Sequence, residues 1–163
     1  MKIFILLIIL SIGIFPQESP KKEKENVKLF LGVVGGNPIE VNTTAGIYFN
    51  NFGIRISGGA WIYSRYGLQL DLTYIFSSKN SIQHQVSLIS AYVSNRKLTS
   101  NNFFNFIYRS GPAEYEYINS LYFGATYNFL WKGLFIQLGP AWGTGNFEKP
   151  RLIMQLGYVH IFD

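Results

Sequence analysis

The chain has 163 residues and a formal net charge of +5, with 48% hydrophobic and 17% aromatic residues, only 14% charged residues and no cysteine. The missing thiols exclude disulfide stapling and a lipid anchor of the diacylglyceryl-cysteine type, and the charged fraction falls well below the ~25% of ordinary soluble domains. The positive balance is not the footprint of a nucleic-acid surface, because Lys2, Lys21, Lys22 and Lys24 all precede the patterned part of the chain.

Lys2 is followed by an apolar run from Ile3 to Phe15, broken only by Ser11 and Gly13. The run is shorter than the ~20 apolar residues that a helix needs to cross a bilayer. It predicts a secretory signal peptide over residues 1–19, with Ser11 and Gly13 or Gln17 and Ser19 as the small residues near cleavage. An uncleaved anchor is the alternative. Residues 20–26 mix both signs of charge and read as a solvated linker. The folded domain is expected over residues 27–163.

From there the period is two, not three to four. Eight alternating segments follow: Lys28–Gly36, Val41–Phe49, Ile54–Tyr63, Leu68–Ser77, Gln83–Ser94, Tyr115–Phe129, Leu134–Gly143 and Arg151–Phe162. The fourth has the clearest pattern, Leu68, Leu70, Leu72, Tyr74 and Phe76 against Gln69, Asp71, Thr73, Ile75 and Ser77. The fifth is open in phase, because Val86, Leu88 and Tyr92 oppose an equally apolar Ile89, Ala91 and Val93. Turn-forming residues separate the segments at Asn37–Ile39, Asn50–Gly53, Ser64–Gly67, Ser78–Ser81 and Trp131–Gly133. These lengths suit tilted membrane strands of about 9 to 11 residues better than soluble strands of 5 or 6.

Eight strands with the N-terminus on the inner side alternate short inner turns with outer loops. The long polar gap between the fifth and sixth segments falls outside, as does the Gly143–Pro150 loop. The aromatics sort in the same way. Phe49, Phe52, Tyr74, Phe76, Phe129, Trp131, Tyr158 and Phe162 fall at inner ends, and Tyr63, Tyr66, Tyr92, Tyr115, Tyr117 and Trp142 at outer ends. Two belts of amphipathic rings follow from a barrel in a bilayer.

The last strand, Gln155 to Phe162, puts Leu156, Tyr158, His160 and Phe162 on one face and Gln155, Gly157, Val159 and Ile161 on the other. With only Asp163 beyond it, it must pair back onto an earlier strand. The stretch resembles the C-terminal assembly signal of bacterial outer-membrane barrels, polar-x-Gly-x-x-apolar-x-aromatic. Gln155, Gly157, Tyr158 and Phe162 carry the likeness; His160 stands where an apolar residue is usual, and Asp163 adds one residue. The whole of Val27 to Phe162 is similar to the small eight-stranded barrels of the OmpA and OmpX group. That resemblance implies an all-β, eight-stranded, antiparallel up-and-down transmembrane β-barrel in the outer membrane. It also implies contact with membrane lipid and lipopolysaccharide, and delivery by the barrel-assembly machinery.

In this phasing Asn42, Arg55, Gln69, Asp71, Glu116, Asn128, Gln137 and Gln155 face inward. A lumen of eight strands is just wide enough to be filled by side chains, and buried charges need partners. Arg55, Asp71, Glu116 and Gln137 are therefore expected to form an interior network, with Arg55 meeting Asp71 or Glu116. A gated ion path is the functional alternative. The third outer loop holds the binding candidates: the cations Arg96, Lys97 and Arg109, suited to phosphates or an acidic glycan, and Phe104, Phe106 and Tyr108, whose alternation extends a hairpin above the membrane.

Catalysis is not expected. Acyl transfer needs a nucleophile, a base and an orienter together, and Ser87, three residues from His84, takes the opposite face of its strand. His84 and His160 read as interfacial residues, and two His with no Cys call for no metal and no cofactor. The reading is a monomeric outer-membrane barrel with a structural or adhesion-like role through its outer loops. A narrow pore is the first alternative. A secreted lipocalin-like barrel is the second; it calls for an apolar interior.

Overall fold

The computed structural model describes residues 27–37, 39–61, 65–98 and 115–162; the expected signal peptide, the linker and most of the third outer loop lie outside them. Eight strands form one closed antiparallel barrel, β1 (Val27–Asn37), β2 (Val41–Phe49), β3 (Phe52–Trp61), β4 (Arg65–Lys79), β5 (Ile82–Leu98), β6 (Tyr115–Trp131), β7 (Leu134–Gly143) and β8 (Arg151–Phe162), each bonded to its neighbours in sequence. Closure is made by β8 on β1, from Leu29 opposite Phe162 to Asn37 opposite Met154. Every strand therefore has two partners and no edge is left along the wall.

The inner turns are tighter than the sequence suggests. Two residues suffice at Asn50–Asn51, Asn80–Ser81 and Lys132–Gly133, and Phe52, Gly53, Ser78, Lys79 and Trp131 join the strands. Both residues of the second and third turns have positive φ, at 51° and 66° for Asn80 and Ser81 and 48° and 92° for Lys132 and Gly133. That backbone twist matches the twist of the flanking strands. At the other end, Arg65, Tyr66 and Gly67, expected to turn, begin β4 instead. Opposite β5 they complete a ladder that reaches Asn95.

Alternation sorts the two faces. Leu29, Leu31, Val33, Ile54, Ile56, Leu68, Leu70, Leu72, Leu138, Leu156 and many aromatics are exposed on the outside. The open phase of β5 resolves with Val86, Leu88 and Tyr92 outward and Gln85, Ser87, Ile89, Ala91 and Val93 inward. The reason is that the interior is not polar throughout. Near the inner turns it is filled by Phe30, Val34, Tyr48, Ile75, Leu130, Phe135 and Val159, and near the outer loops by Ile39, Ile89, Ala91, Val93, Tyr122, Ala141, Phe147 and Ile153. Arg55, Gln69, Asp71 and Gln137 lie between these two apolar layers.

Small inward residues make room for large ones. Phe30 and Tyr48 stack at 4.7 Å between centroids, over Gly46 and Gly53; a Cβ on Gly53 would stand 2.6 Å from Tyr48 Cδ1. In β8 the same logic applies to Gly157, where a Cβ would stand 2.5 Å from Val34 Cα on the closing strand. Gly157→Val is expected to destabilise the folded barrel by about 1–3 kcal/mol, the usual range for overpacking. A lowered urea midpoint in detergent micelles is the readout, and an unchanged midpoint would contradict the packing described at the β1–β8 seam.

Candidate functional site

The central layer is assembled by register. Arg55 of β3 lies directly opposite Asp71 of β4, Gln137 of β7 lies opposite both Asn128 of β6 and Gln155 of β8, and all of them point inward. Arg55 Nη2 donates to Asp71 Oδ2 and, at 2.8 Å, to Gln137 Oε1. Asp71 also accepts from Gln69 Nε2 at 2.8 Å and Gln137 Nε2 at 3.0 Å. Gln155 and Tyr122 both donate to Gln69 Oε1, at 3.0 and 3.2 Å. The guanidinium carbon lies 4.3 Å from the centre of the Phe135 ring, which closes the layer from below.

Arg55 and Asp71 are 3% and 0% exposed, so the ion pair is held in a medium where its partners, not water, decide its energy. Around it Thr73, Ser87 and Asn128 form a second set, with Ser87 Oγ 2.7 Å from Thr73 Oγ1 and accepting from Asn128 Nδ2 at 2.6 Å. Such a layer locks side chains from β3, β4, β6, β7 and β8 together.

Glu116 is not part of it. The residue is exposed and lies opposite Lys97 in the β5–β6 ladder. The expectation fails because β5 and β6 outrun the barrel. The last β6 residue paired with β7 is Tyr122, opposite Gly143, and the last β5 residue paired with β4 is Asn95, opposite Arg65. Beyond those points the ladders to β4 and β7 end; among the described residues Thr144 and Asn146 still bond to Leu121 and Ser120, and Glu116 lies further out, where there is no lumen for it to enter.

The other sequence candidates divide as follows. Arg96 is half-buried on this projecting hairpin, opposite Tyr117; Lys97 is placed there by its backbone. Phe104, Phe106, Tyr108 and Arg109 lie outside the described residues. Gln155 belongs to the central layer, Tyr158 and Phe162 are exposed on the outer wall, and the Phe162 ring meets His160 edge-on at 4.6 Å. His84 joins the same band of rings, its Nδ1 2.5 Å from Tyr127 Oη and its ring 5.7 Å from Phe129. His84 faces outward and Ser87 faces inward, so the two do not meet. Among the described residues no group of His, Cys, Asp and Glu is placed to hold a metal.

Sequence reasoning missed the closure of the mouth. Ile39, from the β1–β2 loop, is fully buried, and Phe147, from a single 3₁₀ turn at Gly145–Phe147, is 4% exposed. The Phe147 ring stacks on Tyr122 at 4.3 Å. The only signal was a lone apolar residue in each of two polar loops.

Removing one member of the buried ion pair leaves the other charge uncompensated. Asp71→Asn is expected to cost about 3–5 kcal/mol of stability, and the double change Arg55→Met with Asp71→Leu to recover most of that loss. Urea unfolding of the three proteins in micelles measures both; equal midpoints for the single and double variants would show that the pair is not the source of the loss.

No family model matches the chain, and no curated protein matches it. Among solved structures, it is similar to the N-terminal β-barrel domain of Pseudomonas aeruginosa OprF, with a TM-score of 0.50 and 13% identity over 83% of this chain and 96% of that one. The outer-membrane protein Ail of Yersinia pestis, in a phospholipid bilayer nanodisc, matches with a TM-score of 0.40 and 13% identity over 85% of this chain and 100% of that one. The likeness to the OprF domain is one of fold: a closed, eight-stranded, up-and-down barrel.

Proposed function

We propose that the chain is an integral outer-membrane β-barrel that anchors an interaction surface formed by its outer loops. The observation that carries this reading is the reversal of the two faces. Large apolar residues cover the outside from Leu29 to Leu156, while Arg55, Asp71, Gln69 and Gln137 are buried. Water disfavours that outer wall and a bilayer favours it. The aromatics support the same orientation: Phe49, Phe52, Tyr74, Phe76, Trp131, Tyr158 and Phe162 are exposed towards the inner turns, and Tyr66, Tyr92, Tyr117 and Trp142 towards the loops. A secreted ligand-binding barrel would need the opposite arrangement, with a polar exterior around an apolar cavity.

The interior supports an anchor rather than a conduit or an enzyme. Two apolar layers and a filled central layer occupy the lumen, as expected for eight strands. The projecting β5–β6 hairpin supports a role at the surface, since its ladder continues past the last residues paired with β4 and β7. The signal peptide, recognition of Gln155, Gly157, Tyr158 and Phe162 during assembly, contact with lipopolysaccharide and a monomeric state belong to this reading.

Leu72 lies midway along β4 and is 52% exposed. An arginine there is expected to cost about 2–4 kcal/mol at the bilayer midplane. Leu72→Arg should therefore lower the yield of the heat-modifiable folded form in lipid vesicles, while Leu72→Ala should not. Equal yields would remove the bilayer from the account. In intact cells an impermeant amine reagent is expected to label Lys97 and Lys149 but to reach Lys79 and Lys132 only after disruption. Planar-bilayer recordings of the purified protein should show no conductance steps above baseline.

A further inference from the structure

The loop end carries a cleft that neither the fold nor its anchoring requires. It opens across the barrel mouth, has a volume of about 100 Å³, and is lined by Asn37, Arg65, Asn95, Asn146, Phe147 and Arg151. In the ring of eight strands β4 and β5 stand across from β8 and β1, so Arg65 and Asn95 approach from one wall and Arg151 and Asn37 from the other. Phe147 closes the floor.

The polar groups here are not used up. Arg65 pairs with Glu40 at 3.3 Å, but Arg151 has no carboxylate within ion-pair distance among the described residues; its guanidinium carbon lies 5.9 Å from the centre of the Phe147 ring. Asn95 Oδ1 is buried with no hydrogen-bond partner among the described residues. Asn146 commits its backbone N–H to Ser120 Oγ at 3.0 Å, and its side-chain amide makes no hydrogen bond among the described residues. Asn37 is already satisfied, donating to the Leu152 carbonyl and accepting from Met154 N–H. With Glu40 set against Arg65, these groups leave a net charge of one positive unit, contributed by Arg151.

We propose that this cleft binds a phosphate monoester, with Arg151 as its ion-pair partner and Arg65 and the side-chain amide of Asn146 as further donors. Guanidinium groups bind oxyanions through directed, charge-assisted hydrogen bonds. Donors converging from two opposite walls suit a tetrahedral group better than a planar carboxylate, and the volume admits one phosphate. The ester reaches the mouth either free in solution, as on a soluble sugar phosphate, or attached to membrane lipopolysaccharide. The site belongs to the folded barrel itself, so its test does not depend on the cellular membrane.

The experiment is calorimetric titration of the folded barrel in detergent micelles with glucose 1-phosphate, with glucose as the neutral control. Saturable binding of the phosphate ester alone is expected. Arg151→Gln should weaken it about tenfold or more, the usual worth of a charged hydrogen bond. Lys79→Gln, at the far end of the barrel, should leave it unchanged. Should Arg151→Gln fail to give the heat-modifiable form, Asn146→Ala serves in its place, with an expected loss of about threefold. Competition by lipopolysaccharide, abolished when its phosphates are stripped, would identify the lipid-borne source; absence of competition would identify the soluble one. No saturable binding, equal binding of glucose, or an Arg151→Gln protein that binds like the parent would overturn the proposal.

Discussion

The pairing of β8 back onto β1 is the constraint on which the rest of the molecule depends. Without it two strands expose a row of unpaired N–H and C=O groups, which is costly in water and more so in hydrocarbon. With it, every strand has two neighbours and residues alternate between lumen and exterior, save at the register shift between Ile75 and Ser77 and at the adjacent buried pair Val93 and Ser94. The tight approach at the seam, where Gly157 lies against the backbone of Val34, is a direct consequence. So is the limited bore, since eight strands enclose a space that side chains can fill but not vacate.

Filling that space forces a compromise between two kinds of interior. Apolar side chains pack without needing partners, and they occupy both ends. The middle is given to Arg55, Asp71 and their amide partners, where the Asp71 carboxylate accepts from Arg55, Gln69 and Gln137 and its desolvation is offset by those three donors. A central layer of this kind is directional where apolar packing is not. It ties five strands in one arrangement and fixes which face of each strand looks inward. The end layers then shield the ion pair from water entering along the axis.

Much of this could be read from the residues. β2, β7 and β8 have the boundaries that alternation assigns them, and the Arg55–Asp71 pair follows from which face of two adjacent strands carries charge. What could not be read has physical causes. The phase of β5 is hidden because its inward residues Ile89, Ala91 and Val93 belong to the outer apolar layer, so both faces of the strand are hydrophobic. Glu116 has the right parity for the lumen, but parity says nothing about height, and it stands above the rim. Arg65 to Gly67 have the composition of a turn, yet the ladder to β5, which runs without a shift from Arg65 to Ile75, holds them extended. Ile39 and Phe147 are single apolar residues in polar loops, and no periodicity marks a residue that folds back over a mouth.

These two residues join their own loops to the outer apolar layer of the barrel. Phe147 stacks on Tyr122, the Tyr122 hydroxyl donates to Gln69, and Gln69 donates to Asp71. A continuous line of contacts therefore runs from the mouth to the buried ion pair. The side chains above Phe147 rest on a floor whose position is set by the register of β4 and β6. Groups held by such a scaffold lose less freedom when a ligand arrives than groups on a free loop. The same contacts that fill the outer end of the barrel thus also fix the floor of the proposed cleft.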